Sequence, residues 1–149
     1  MIQLFTELQE KKNVRSNLSA LRASLKEATE EQKAQAIEFV RGHEDLVFGF
    51  LQEEDAKTRK NAALLLGDLA VQNALQPLWK AYTREQTLFV KSAYLEAMKA
   101  LHAEEILSQL KDRLAELEGE PVTEENRKHW EAELRALRAC LLYTSDAAD

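Results

Sequence analysis

The chain has a single cysteine, Cys140, which excludes an internal disulfide and any metal site built on paired cysteines. Four glycines and two prolines are all that punctuate 149 residues, too few for a loop-rich or many-stranded fold. No run approaches the roughly 20 apolar residues that a membrane-spanning helix needs, so no membrane is expected as a partner. The start, Met1-Ile2-Gln3-Leu4-Phe5-Thr6-Glu7, meets an acid before any long apolar stretch and does not read as a signal peptide, which makes the cytoplasm the expected location. Positive charge is not in excess either. Twenty Lys and Arg against 26 Asp and Glu give a net charge of −6, which supplies no general attraction for nucleic acid or an anionic surface.

What the chain does contain is helix-forming sequence. Ala, Leu, Glu, Lys and Gln dominate, the residues that lose least on entering a helix. Leu18, Leu21 and Leu25, then Ala62, Leu65, Leu66 and Leu69, recur at three- and four-residue steps and give apolar stripes along single helix faces. Thr29-Glu30-Glu31-Gln32 has the form of a capping box, and Gly42 suits a left-handed helix end. Gly119 and Pro121 close one helix before Thr123 opens the last. The pattern predicts helices over about 2–10, 14–28, 30–41, 43–52, 56–70, 72–84, 88–101, 104–118 and 123–139.

An internal repeat decides how these helices are expected to assemble. Sliding the chain by 32 residues lays Leu46 on Leu78, Phe50 on Tyr82, Arg59 on Lys91, Ala62 on Tyr94, Leu69 on Leu101, Leu75 on Leu107 and Leu78 on Leu110. Apolar positions meet apolar ones and a basic position meets a basic one. A weaker match lays Val14-Arg15-Ser16-Asn17 on Thr58-Arg59-Lys60-Asn61. Paired helices at this period, neither able to bury its apolar face alone, imply a stacked solenoid, with a closed bundle as the alternative.

The central unit resembles a HEAT repeat at Asp55, Arg59, Ala62, Ala63, Leu66 and Gly67, with Leu69 completing the apolar stripe. The next unit keeps Lys91, Leu95 and Leu101 but carries Thr87, Tyr94 and Lys99 where the pattern has an acid, a small residue and glycine. The resemblance implies an all-α, single-domain, right-handed α-solenoid of antiparallel pairs: capping helices over 1–42, HEAT-like repeats over 43–118 and a C-terminal helix over 119–139. Residues 140–149 resemble translated sequencing-adapter DNA, reading back as TGT CTC TTA TAC ACA TCT GAC GCT GCC GAC. They are therefore expected to be foreign to the protein and to add nothing to its fold, with the natural part being the front of a longer chain. Without Asp146 and Asp149 the net charge is −4. A fainter likeness is to the helical region that precedes the catalytic domain of some bacterial SAM-dependent RNA methyltransferases.

Candidate sites each carry a structural and a functional reading. Lys57, Arg59, Lys60 and Lys91, with Arg15, form a candidate interaction surface toward phosphate or a partner; the competing reading is a local Asp55–Arg59 pair at a helix start. Trp79, Tyr82, Phe89 and Tyr94 read either as core or as an aromatic patch. Trp130, Leu134 and Leu137 make a stripe that caps the stack or docks a continuation. His102-Ala103-Glu104-Glu105 lacks a second histidine at the spacing of a zinc helix, and His43 and His129 are isolated, so no metal is expected. Ser16, Ser19 and Ser24 have no elbow glycines, and Glu116, Glu118 and Glu120 read as a solvated acidic end. Gly42, Gly49, Gly67 and Gly119 are too scattered for a glycine-rich cofactor loop, so no cofactor is expected. The sequence leaves three functions open: an interaction or substrate-positioning module without catalytic residues, the N-terminal arm of an RNA methyltransferase, or a free-standing scaffold for proteins.

Overall fold

The computed structural model describes the backbone of residues 1–148 and the side chains of residues 1–142. Among the described residues the chain is all helical, without a strand: α1 (Ile2–Gln9), α2 (Val14–Leu25), α3 (Glu30–Gly42), α4 (Glu44–Phe50), α5 (Ala56–Asp68), α6 (Leu75–Arg84), α7 (Leu88–Ala100), α8 (Leu107–Gly119) and α9 (Arg127–Ala148), with short 3-10 turns at Gln72–Ala74 and Glu104–Ile106. None of them is long and apolar enough to cross a membrane.

The packing runs along a row of four helices, α2, α5, α7 and α9. α5 lies on α2 at one side and on α7 at the other, and α7 in turn lies on α9. Each of these is backed by the helix before it, α1 on α2, α4 on α5, α6 on α7 and α8 on α9. The buried apolar side chains form one continuous cluster from Leu8 to Leu141. Two ion pairs tie the opposite ends of α2 to α5, Arg15 with Asp55 at 3.5 Å and Arg22 with Asp68 at 2.8 Å.

The 32-residue offset in the sequence is also an offset in structure. α5 and α7 start at Ala56 and Leu88, the 3-10 turns at Gln72 and Glu104, and α6 and α8 at Leu75 and Leu107. Even the strained residues repeat. Ala70 and His102, just beyond the ends of α5 and α7, take left-handed φ values of 52° and 54°. A side chain there costs energy that glycine would not, and the position is fixed because Val71 N–H returns to Leu66 C=O at 3.0 Å to satisfy the end of α5.

Helix α5 owes its central place to small residues. Ala62 and Ala63 are fully buried, and a Cβ added at Gly67 would stand 3.0 Å from Ala97 Cα of α7. Only glycine lets the two backbones come this close. The capping box forms as expected, with Gln32 N–H donating to the Thr29 hydroxyl at 3.1 Å and Thr29 N–H to the Gln32 carboxamide at 3.0 Å. Gly42 does not take the left-handed conformation; α3 runs almost directly into α4 through His43, whose φ is −137°. Thr123 and Asn126 exchange side-chain to backbone bonds in a turn before α9, which starts at Arg127.

Contrary to the expectation for residues 140–149, Cys140 and Leu141 do not stand apart from the fold. α9 runs on to Ala148, and Cys140 and Leu141 are buried in the common core while Leu142 is exposed. The reason is phase: Leu141 extends the Trp130, Leu134, Leu137 stripe by four more residues, so it falls on the same buried face. The side chains of Tyr143 to Asp149 lie outside the described residues. Deleting Cys140–Asp149 is expected to cost about 2–4 kcal/mol through lost apolar burial. In a thermal melt this should lower Tm by about 5–15 °C. An unchanged Tm would show that Leu141 contributes no burial to the fold.

Candidate functional site

Two carboxylates organise the surface between successive helix pairs. Glu85, just past the end of α6, accepts from Arg59 Nε at 2.8 Å and Nη2 at 2.9 Å, from the Tyr94 hydroxyl at 3.2 Å and from Thr87 N–H at 3.1 Å. Arg59 Nη1 donates to the carbonyls of Glu53 and Glu54, both at 2.8 Å, so the guanidinium staples the α4–α5 loop to the α6–α7 loop. Glu133, on α9, accepts from the Tyr82 hydroxyl, from Lys91 Nζ at 3.2 Å and from Arg113 Nε and Nη2 at 3.1 Å each, with His129 Nε2 at 3.6 Å. It therefore joins α6, α7, α8 and α9 at one point.

These partners fix the ionisation of both sites. Burial alone pushes Glu85 and Glu133 upward. The bonds from Arg59 to Glu85, and from Tyr82, Lys91 and Arg113 to Glu133, outweigh it and hold both carboxyls below the ordinary range. Tyr82 and Tyr94 move upward through burial and the adjoining carboxylates, so both phenols stay protonated and donate. Neither carboxyl is poised as a general acid, which would need the opposite shift.

Each carboxylate borders a groove. The first, about 850 Å³, lies between the α4–α5 and α6–α7 pairs and is bounded by Phe48, Leu51, Arg59, Pro77, Lys80 and Arg84 among others. The second, about 330 Å³, lies one unit on and is bounded by Thr83, Lys91, Gln109, Asp112, Arg113 and Glu116 among others. Residues 51, 59, 77, 80, 81 and 84 of the first correspond, 32 positions on, to 83, 91, 109, 112, 113 and 116 of the second. The grooves are repeats of one another.

The residues singled out from sequence are divided by this arrangement. Arg59 and Lys91 do occupy equivalent places but spend their charge on Glu85 and Glu133, with side chains 16% and 13% exposed. Lys57 is exposed and Lys60 half-buried on α5. The local Asp55–Arg59 pair does not form. Asp55 instead caps α5, accepting from Thr58 N–H at 2.9 Å and its hydroxyl at 2.7 Å, bonds that hold its carboxyl below the ordinary range. Ala62, Leu66 and Leu69 are buried, and Gly67 makes the close approach to α7. Tyr82 and Tyr94 are buried, Trp79 stacks on Tyr82 at 5.5 Å between ring centres, and Phe89 is exposed. Trp130 is half-buried and donates its indole N–H to Leu117 C=O at 2.6 Å.

Glu85, Arg113 and Glu133 were missed. Glu133 had a signal: it lies three residues after Trp130 and directly before Leu134, on the apolar face of α9, where an acid needs buried partners. Arg113 likewise sits between Leu110 and Leu117 on the inward face of α8. Glu85 gives no comparable sign, since a loop acid is usually solvated. Among the described residues no cluster of His, Cys, Asp and Glu could hold a metal ion. Comparison with protein-family models, with curated proteins and with solved structures returns no match for this chain.

Proposed function

We propose that the chain is a HEAT-like α-solenoid that serves as an interaction module, holding part of a partner protein against the grooves between its stacked helix pairs. The observation that carries this reading is the recurrence of the groove with the period of the fold. A repeated cleft suits a ligand that is itself extended, such as a polypeptide, better than a compact small molecule, for which one enclosed pocket suffices. The carboxylates support binding over chemistry, because each is already ionised and saturated with internal donors. A phosphate-binding face is disfavoured by the net charge of −6 and by the commitment of Arg59 and Lys91 to internal pairs.

A photo-crosslinking residue at Gln86 or Gln109, one in each groove, should give adducts with protein from the source cells, and the same residue at the exposed Gln35 on α3 should not. The adducts should be destroyed by protease and survive ribonuclease. RNA should show no binding to the chain at moderate salt. Salt-sensitive RNA binding that is lost on Lys57→Glu and Lys60→Glu, or adducts equally strong at Gln35, would overturn the reading.

A further inference from the structure

The two grooves share their architecture but reverse the charge along one wall. On the wall of the first, α6 presents Lys80 and Arg84, one helical turn apart and both exposed. On the wall of the second, α8 presents Asp112 and Glu116 at the corresponding positions, also exposed. The sign is reversed at both positions, while the surrounding helix pairs keep the same register. Lys80, Arg84 and Asp112 have no ion-pair partner among the described residues. Glu116 has one contact, 3.3 Å to Arg113 Nη1, and Arg113 gives its Nε and Nη2 to Glu133. Glu53 and Glu54 also line the first groove, so its unpaired positive charge is limited to the α6 wall.

We propose that the two grooves form one bipolar docking surface for an extended segment of a partner protein that carries an acidic cluster and a basic cluster. The acidic side chains seat on Lys80 and Arg84, and the basic ones on Asp112 and Glu116. A three-residue spacer in an extended chain reaches about 10 Å, the scale of one helix-to-helix step, and sets the separation of the two clusters in the ligand. The half-buried apolar residues of the first groove, Phe48 and Pro77, accept the stem of the segment on its acidic side. Complementary charge at two points fixes direction as well as affinity, since a reversed ligand meets repulsion in both grooves. This inference rests on the reading of the chain as a protein-binding module and adds the charge pattern of the partner to it.

The test uses the full chain and fluorescein-labelled peptides of one composition, read by fluorescence anisotropy. One peptide places two Glu, three Ala and two Lys in that order, a second has the reverse order, and a third alternates Glu and Lys. One of the two bipolar peptides should bind at least tenfold more tightly than the other two. The variant carrying Lys80→Asp, Arg84→Glu, Asp112→Lys and Glu116→Arg should prefer the opposite bipolar order, with an unchanged helical signal and Tm showing that it is folded. Equal affinity for the bipolar and alternating peptides, binding that follows Lys80 and Arg84 alone, or RNA outcompeting every peptide would each overturn the bipolar surface. Absence of any peptide binding would overturn it as well. Adducts at Gln86 and Gln109 but not at Gln35 would then leave the broader protein-binding reading standing, and their absence would remove both.

Discussion

Glu133→Ala should destabilise the protein by about 2–4 kcal/mol at neutral pH. Removing one member of a buried charge cluster strands the others, and such losses run to about 3–5 kcal/mol when the remaining charges are fully desolvated. Here Lys91 and Arg113 keep side-chain exposures of 13% and 28%, so water recovers part of the loss. Tyr82, 2% exposed, loses the acceptor for its hydroxyl and has no such relief. The measurement is a denaturant titration of the variant beside the parent. Glu133→Gln keeps the volume and one acceptor oxygen, and should cost less than Ala.

The same cluster makes stability depend on pH with a definite sign. A carboxyl whose folded pKa lies below its ordinary 4.5 contributes stability that is fully present above that value and is lost as the pH falls through the lower folded pKa. The parent should therefore weaken progressively from about pH 5 downward, with Glu85 adding to the slope through the same mechanism. In Glu133→Gln the acid-side slope should be shallower. An identical slope in parent and variant would mean that Glu133 is not held ionised by Lys91 and Arg113.

The sequence made local structure legible because local structure has local causes. Helix positions followed from periodicity, and the Thr29–Gln32 box from four adjacent residues. The 32-residue repeat was visible because packing between equivalent helices demands equivalent sizes, as with Leu78 and Leu110. The ion pairs were not visible, because their partners lie far apart in the chain. Arg59 passes over Asp55, four residues away, for Glu85, 26 residues away, since Asp55 is already bound to Thr58. Spacing alone cannot rank those two acceptors. The left-handed turns at Ala70 and His102 were hidden for a related reason. Glycine normally marks such a turn, and here it falls on residues that carry side chains. The buried role of Leu141 was obscured by its place within a segment set aside for its resemblance to adapter DNA, although its helix phase was readable.

Leu66→Ala is expected to cost about 2–5 kcal/mol, the range for truncating a leucine where the cavity cannot collapse. Leu66 is fully buried in α5, whose neighbours on both sides, α2 and α7, are themselves held by further helices. Collapse around the cavity is opposed by the close contact one residue on, where Gly67 already brings α5 against Ala97 of α7. The repeat supplies an internal control. Met98 stands 32 residues after Leu66, is also fully buried, and should lose a comparable amount on Met98→Ala. Lys57, exposed on the first turn of α5, should change stability by less than about 0.5 kcal/mol on Lys57→Ala. Chemical denaturation of the three variants reads all of this in one series. Similar losses from Leu66→Ala and Lys57→Ala would dismiss the register that places Leu66 and Met98 at equivalent buried positions, and with it the assignment of equivalent walls to the two grooves. A large loss at Leu66 with none at Met98 would restrict tight packing to α2, α5 and α7 and leave α7 and α9 loosely joined.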